Sequence, residues 1–169
     1  MKRLIFHIFL IASAFAFSDC GTVQYSLTGG GPLDAKTVTI KYFNNKAALV
    51  NPNLSQVFTE ALKDKFLKES KLELVDQDGE WTFSGYISSY STAPVAISSD
   101  NKAQQTRLTI TIDVKFEDKL DKKKNFEQSF SNYADYDNSK NLSEVESSLV
   151  TDINTKIIQD IYSKTALDW

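Results

Sequence analysis

Apolar and polar residues alternate along five stretches of the chain, as they do in β-strands with one buried face. The clearest stretch is residues 107–117, where every second side chain is apolar from Leu108 to Phe116. Residues 36–43 alternate in the same way, with Val38, Ile40 and Tyr42 on one side. The remaining predicted strands are residues 72–75, 80–90 and 126–136. Strands with one apolar and one polar side are typical of a sheet that keeps one face on the core and the other in water.

Two longer stretches have the spacing of amphipathic helices, with apolar residues three or four positions apart. The first begins after Pro52 and continues to about Glu69, and proline suits the start of a helix because its missing N–H has no partner there. The second begins at a capping-box pattern at residues 143–146 and continues to about Tyr162. The order β-α-β-β-β-β-α predicts a two-layer α+β fold, with two helices packed on one face of a small mixed sheet.

Two features of this pattern have more than one interpretation. Gly85 lies inside a predicted strand, which indicates either a β-bulge or a close approach of two backbones. Residues 91–105 form either a projecting hairpin or an edge segment. The apolar side chains near this segment form either a partner-binding patch or a strand packed against the core, and they are Tyr90, Pro94, Val95 and Ile97.

The first residues predict export. Residues 1–19 have a positive start and an apolar run, residues 4–17, that is too short for a transmembrane helix but typical of a signal peptide. One possibility is cleavage at an A-x-A pattern within residues 12–16, which releases a soluble protein. The other is lipidation of Cys20, because the preceding residues resemble a degenerate lipobox. We interpret residues 20–35 as a lipidated N-terminus with a flexible, glycine-rich tether, and residues 36–169 as one domain.

Composition removes several classes of function. Among the 169 residues there is one cysteine, and the one histidine, His7, belongs to the predicted signal peptide. The domain therefore lacks disulfides, Ser–His and Cys–His nucleophiles and the usual zinc ligands. The formal net charge is −3, and it becomes −4 once Lys2, Arg3 and Asp19 are removed with the leader. A mildly acidic domain is a poor candidate for binding nucleic acid.

The remaining candidate chemistry consists of carboxylates and one basic run. Residues 76–80 and the pair Asp135 and Asp137 are each interpretable as a general-acid/base pair or a calcium loop, but both lack the calcium-loop layout. Solvated turn carboxylates explain them better, so no catalytic residue, metal or cofactor is expected. The basic run, Lys122 to Lys124, is either a contact for an anionic headgroup or a solvated hairpin tip.

Several segments, taken in order, resemble the LptE-like lipoproteins, the lipopolysaccharide-assembly lipoprotein family, in its divergent branch. The likeness covers nearly the whole chain after the leader, and its motifs are structural rather than catalytic. The segments are residues 25–29, 38–45, 49–55, 58–66, 83–87, 107–112 and 130–136, with a closing Trp169.

The resemblance implies a function. It implies a non-enzymatic outer-membrane lipoprotein on the periplasmic side that plugs the large β-barrel LptD, the pair delivering lipopolysaccharide to the outer leaflet. The expected partners are an LptD-like barrel, lipopolysaccharide, and the membrane through a lipid on Cys20. From charge alone, the lipopolysaccharide-binding candidates are Arg107, Lys122, Lys123 and Lys124; the barrel-contact candidates are Tyr90, Pro94, Val95 and Ile97. The alternative is a membrane-tethered periplasmic binding module for glycan or lipid.

Overall fold

The computed structural model describes residues 34–49, 51–95 and 105–166. The predicted signal peptide, Cys20 and most of the predicted tether lie outside these ranges. Two helices and six strands are present in the described ranges. In chain order they are β1 (Thr37–Ile40), β2 (Asn44–Asn45), α1 (Leu54–Glu69), β3 (Glu73–Leu74), β4 (Trp81–Val95), β5 (Gln105–Asp118), β6 (Phe126–Asp137) and α2 (Leu142–Ala166).

The strands form one mixed sheet in the order β3-β1-β4-β5-β6, with β2 also paired to β4. The short strands β1, β2 and β3 pair in parallel, whereas β4, β5 and β6 form a long antiparallel meander. Chain connectivity explains the difference, because α1 lies in sequence between the two strands of each parallel pair, whereas shorter connections join the antiparallel neighbours. This confirms the predicted α+β class and mixed sheet.

The core lies between the sheet and the two helices. The apolar side of β5 is fully buried, from Leu108 to Phe116, and α1 buries its apolar stripe over the β1 side of the sheet, where Phe66 packs on Phe83. Helix α2 covers the β6 side of the same face with Ile153, Ile157 and Ile161. Both helices therefore pack on one face of the sheet, as predicted, and the other face stays open to solvent.

The first strand is shorter than predicted, and the prediction that Tyr42 faces the core is wrong. Pairing of β1 ends at Ile40, and Tyr42 is 54% exposed, whereas Phe43 is fully buried. The backbone N–H of Phe43 donates to the hydroxyl of Thr59 on α1 at 3.2 Å, which turns the ring inward against Phe58. A tertiary hydrogen bond thus overrides the alternating pattern.

Gly85 makes the close approach that was one of its two interpretations. A Cβ at this position would overlap the backbone carbonyl oxygen of Asp113 on β5 and lie 2.6 Å from the ring of Phe43. The irregularity in strand register lies further along β4, between Ile87 and Ser89. Glycine is therefore required at residue 85 for space, and the bulge is a separate feature.

Asn154 is a polar side chain buried in the helical part of the core. It is 2% exposed, and neither its side-chain oxygen nor its nitrogen has a hydrogen-bond partner in the described part of the protein. Because an unpaired buried amide is costly, we expect Asn154→Leu to raise the free energy of unfolding by about 1–2 kcal/mol. Urea denaturation measures this change.

The control for this substitution is Thr155→Leu on the exposed neighbouring position, which reports the gain in helix propensity together with loss of the local hydrogen bond from the Thr155 hydroxyl to the Thr151 carbonyl. A stabilisation of Asn154→Leu no larger than that of the control would contradict the assignment of a buried, unpaired amide.

Candidate functional site

The described residues of the segment 91–105 lie in two paired strands, which favours the hairpin over the edge-segment interpretation. Strand β4 continues to Val95 and pairs with β5 as far as Gln105. Residues 91–94 are exposed on β4, while Leu108 marks the last fully buried position of β5 at this end. We call residues 91–95 and 105–107 the arm; it extends past the core. Residues 96–104, which include Ile97, lie outside the described ranges.

The base of the arm is joined to the helical layer by a small polar network. The hydroxyl of Tyr90 donates to the carboxylate of Glu146 on α2, and the same oxygen accepts from Asn51 Nδ2 at 2.9 Å. Burial, followed by the hydrogen bond to Glu146, raises the pKa of Tyr90, so the phenol stays protonated. Three segments distant in sequence therefore meet at this point: β4, α2 and the loop before α1.

The four predicted barrel-contact residues have different environments. Tyr90 is 6% exposed and belongs to the core. It therefore supports the base of the arm and offers little surface to a partner. Pro94 is exposed and Val95 partly exposed, both on the arm. Contact with a barrel by Pro94, Val95 and Ile97 stays a prediction.

The second helix begins at a different residue from the one predicted. Helix α2 begins at Leu142, and Asn141 occupies the capping position, its side-chain amide donating to Glu144 at 3.2 Å. The predicted capping box at residues 143–146 is therefore wrong by two positions. Glu146 is committed to Tyr90 and Asn51, a role that the local sequence does not indicate because both partners are distant along the chain.

The network predicts a stability effect. Glu146→Ala removes the acceptor of two hydrogen bonds and leaves the hydroxyl of Tyr90 without its partner, so we expect a loss of about 1–3 kcal/mol in the free energy of unfolding. Thermal and urea unfolding measure it. Asp160→Ala, at an exposed position of the same helix, is the matched control and should change little. Equal losses in the two variants would contradict a stabilising role for the network.

The open face of the sheet is polar and acidic. Its outward positions on β5 and β6 carry hydroxyl side chains between charged ones, and Thr111 and Ser131 hydrogen-bond across the strands at 2.9 Å. The charged outward positions include five acids and two bases, and they are Arg107, Asp113, Lys115, Glu117, Glu127, Asp135 and Asp137. Lys46 adds one cation by stacking on Tyr86 at 4.0 Å.

Arg107 is paired within this face. Its guanidinium donates to both carboxylate oxygens of Asp135, at 2.7 and 2.9 Å, and lies 3.6 Å from the ring centroid of Tyr133. The hydrogen bond from Arg107 holds the pKa of Asp135 below its usual value. A hydrogen bond from the backbone N–H of Ser139 lowers the pKa of Asp137. Both carboxylates are thus ionised, whereas a general acid needs a raised pKa.

The structure does not bring the four predicted lipopolysaccharide-binding residues together. Arg107 lies at the base of the arm, whereas Lys122–Lys124 form a 3₁₀ turn between β5 and β6 at the other end of the sheet. At roughly 3.4 Å per residue, β5 separates these positions by about 35 Å. Lys122 and Lys123 are exposed, and the ammonium of Lys124 lies 3.8 Å from the carboxylate of Asp34. Binding of lipopolysaccharide by these residues stays a prediction.

A groove between β6 and α2 was not predicted from the sequence. It is open, encloses about 500 Å³, and is lined by Phe130, Ser131, Asp160, Ser163 and Lys164 among others. No sequence signal marks it, because it arises where the edge strand and a helix distant in sequence lie side by side.

These elements define a class of protein: a small α+β domain that presents a polar sheet face and a projecting arm. The sequence model of the LptE lipopolysaccharide-assembly family matches residues 35–165, so the chain belongs to that family. None of the helices in the described part of the chain is long and apolar enough to cross a membrane. Among curated proteins, none matches the sequence.

Two solved structures have the same fold at low identity, and a third is less similar. The minor lipoprotein of Acinetobacter baumannii is 15% identical, with a TM-score of 0.51 over 76% of this chain and 91% of that one. The hypothetical protein CT253 of Chlamydia trachomatis is 10% identical, with a TM-score of 0.53 over 78% and 98%. Uncharacterized lipoprotein B of Nitrosomonas europaea is 14% identical, with a TM-score of 0.46 over 82% and 87%.

Proposed function

We propose that this protein is a non-enzymatic outer-membrane lipoprotein that plugs an LptD-like β-barrel and takes part in delivering lipopolysaccharide to the outer leaflet. Membership of the lipopolysaccharide-assembly family supports the process. A lipid on Cys20 holds the domain on the periplasmic side of the membrane, and residues 1–19 are the signal peptide that exports it.

The open sheet face is the observation that carries this proposal. Large outer-membrane barrels have polar interiors, so a plug needs a surface that forms hydrogen bonds with a polar wall. The outward side chains of β5 and β6 are hydroxyl, acidic and basic groups, and several already pair across strands, such as Thr111 with Ser131. This face enters a polar lumen without transferring apolar surface into water.

The dimensions of the sheet are consistent with a plug. The 14 residues of β5 extend roughly 45 Å at about 3.4 Å each, whereas the apolar band of a barrel is about 25 Å tall. The chain enters the domain next to Asp34, at the end opposite the arm. A domain held by its N-terminus at the periplasmic surface therefore places the arm far into the lumen.

The arm is then the part that lies nearest to lipopolysaccharide. Of the four predicted binding residues, Arg107 alone lies at this end, and its guanidinium is shared with Asp135. A phosphate group there must compete with that carboxylate for a bidentate pair. We therefore propose Arg107, and not the lysines at the opposite end of the sheet, as the first candidate for contact with lipopolysaccharide.

A site-specific photo-cross-linker tests the orientation. Placed at Val95 on the arm, it should yield cross-links to a large barrel, identified by mass spectrometry, in intact outer membranes. The matched control is Lys41, an exposed position just after β1 and outside the arm. Absence of barrel cross-links from Val95, or equal cross-linking from Lys41, would contradict the proposed insertion of the arm.

A further inference from the structure

The turn between β5 and β6 combines basic charge with an exposed apolar side chain. We call residues 119–124 the lysine turn. It contains four lysines, one acid, Asp121, and Leu120, whose side chain is 54% exposed. The carboxylate of Asp121 accepts from the backbone N–H of Lys123 at 3.0 Å, so the lone acid is used within the turn. An apolar tip flanked by lysines has the composition of a loop that contacts a lipid surface.

The conformation of the lysine turn is fixed from beneath. Asp118 is 4% exposed, and its carboxylate accepts from the indole Nε1–H of Trp81 at 3.0 Å. The other oxygen of Asp118 accepts from the backbone N–H groups of Leu120, at 2.7 Å, and Asp121, at 3.1 Å. The buried carboxylate of Asp118 therefore holds the turn in the conformation that exposes Leu120.

The lysine turn also lies where the chain enters the domain. Lys124 Nζ is 3.8 Å from the carboxylate of Asp34, the first residue that the structure describes. The backbone N–H of Lys119 donates to the carbonyl of Glu80 at 2.9 Å, and the carboxylate of Glu80 accepts from the backbone N–H of Lys36. The turn and the start of the domain are thus joined through Glu80.

We propose that the lysine turn docks on the anionic phospholipid headgroups of the membrane that holds the lipid anchor, with Leu120 entering the interface. The inference rests on the proposed anchor at Cys20, because the anchor keeps this end of the domain next to the membrane. Asp34 and Asp78 lie near Lys124 and Lys119, so Lys122 and Lys123 supply most of the attraction. The contact keeps the lysine turn at the periplasmic surface of the membrane, at the end of the sheet opposite the arm.

The first test measures how accessible residue 120 is at a membrane. Acylated protein carrying Leu120→Cys is inserted into preformed vesicles of phosphatidylethanolamine and phosphatidylglycerol, and its reaction with a membrane-impermeant maleimide is timed. We expect the reaction to be several-fold slower than in phosphatidylcholine vesicles, and Lys122→Gln with Lys123→Gln to abolish the difference. Lys140→Cys, at the opposite end, is the matched control and should react equally in both.

The second test separates the lysine turn from the anchor. Protein with Cys20→Ala is sedimented with the phosphatidylglycerol vesicles. Removing the two lysines should weaken its partitioning by about 25-fold, at roughly fivefold per lysine, whereas Lys140→Gln with Lys156→Gln should not. In the first test, labelling of Cys20 itself would show that the anchor is absent, independently of the turn.

Equal reaction of residue 120 in both kinds of vesicle, with equal partitioning of the two double variants, would overturn the proposal. So would protection of residue 120 that requires lipopolysaccharide in the vesicles, because the lysines would then bind that lipid and not phospholipid.

Discussion

Gly85→Ala is expected to destabilise the domain by about 3 kcal/mol or more, the upper end of the cost of overpacking a core. The added methyl group would overlap the carbonyl oxygen of Asp113 and press on the ring of Phe43. A side chain can rotate away, but the carbonyl belongs to the β4–β5 pairing and moves only if that pairing opens. Because β4 and β5 are the two longest strands of the sheet, the loss extends to the whole fold.

Chemical denaturation of Gly85→Ala beside Ser84→Ala measures this effect. Ser84 is the preceding residue on the outward side of the same strand, so its substitution tests strand propensity without the overlap. Adding Phe43→Leu to Gly85→Ala should restore only part of the stability, because the clash with the backbone of β5 remains. A cost below about 1 kcal/mol for Gly85→Ala would contradict the close packing of β4 on β5.

Cys20→Ala is expected to remove the protein from the membrane fraction while leaving the domain folded. A single acyl chain holds a membrane weakly and several hold it stably, so replacing the proposed acylation site is expected to remove the proposed anchor. The described core begins at Ala35, well after Cys20, and for this reason we expect the variant to keep its fold.

Membrane fractionation and circular dichroism together check this result. Ser18→Ala retains a small residue before the thiol and serves as the control. Global unfolding of Cys20→Ala would show that the cysteine is structural. Retention of the folded variant in membranes washed with high salt would show that something other than a thiol-linked lipid anchors the protein.

Parts of the fold that depend on local periodicity were predictable from the sequence. Strand β5 and helix α1 each have an apolar side whose spacing matches the element, and both formed within a few residues of the predicted bounds. The two-layer arrangement follows from this pattern. Helices and a sheet that each have one apolar side bury those sides by packing against each other.

Features set by contacts between distant residues were not predictable. The inward turn of Phe43 accompanies its hydrogen bond with Thr59, and Tyr90 faces the core opposite Ile110 because the strand register shifts between Ile87 and Ser89. In both cases a contact with a segment distant in sequence changes the local alternating pattern. The groove beside β6 and the proximity of the lysine turn to Asp34 also require the assembled fold.

The candidate site also combines features that local sequence predicts with features that depend on distant residues. Charge and hydrophobicity placed Lys122 at the surface and left Pro94 either in a surface patch or against the core; both residues are exposed. These patterns gave no information about which charges pair, and Arg107 is matched with Asp135 because adjacent antiparallel strands place the two side by side. The separation of Arg107 from the lysines likewise follows from the length of β5.

The most direct measurement is affinity capture of the lipidated protein from detergent-solubilised outer membranes, with the eluate quantified by mass spectrometry. The proposed plug predicts one large β-barrel at a molar ratio near one, and a reduced ratio for a variant carrying charged residues at Pro94 and Val95. An eluate in which the intact, membrane-derived bait is accompanied by no such barrel would contradict the proposal and favour a tethered periplasmic binding module for glycan or lipid.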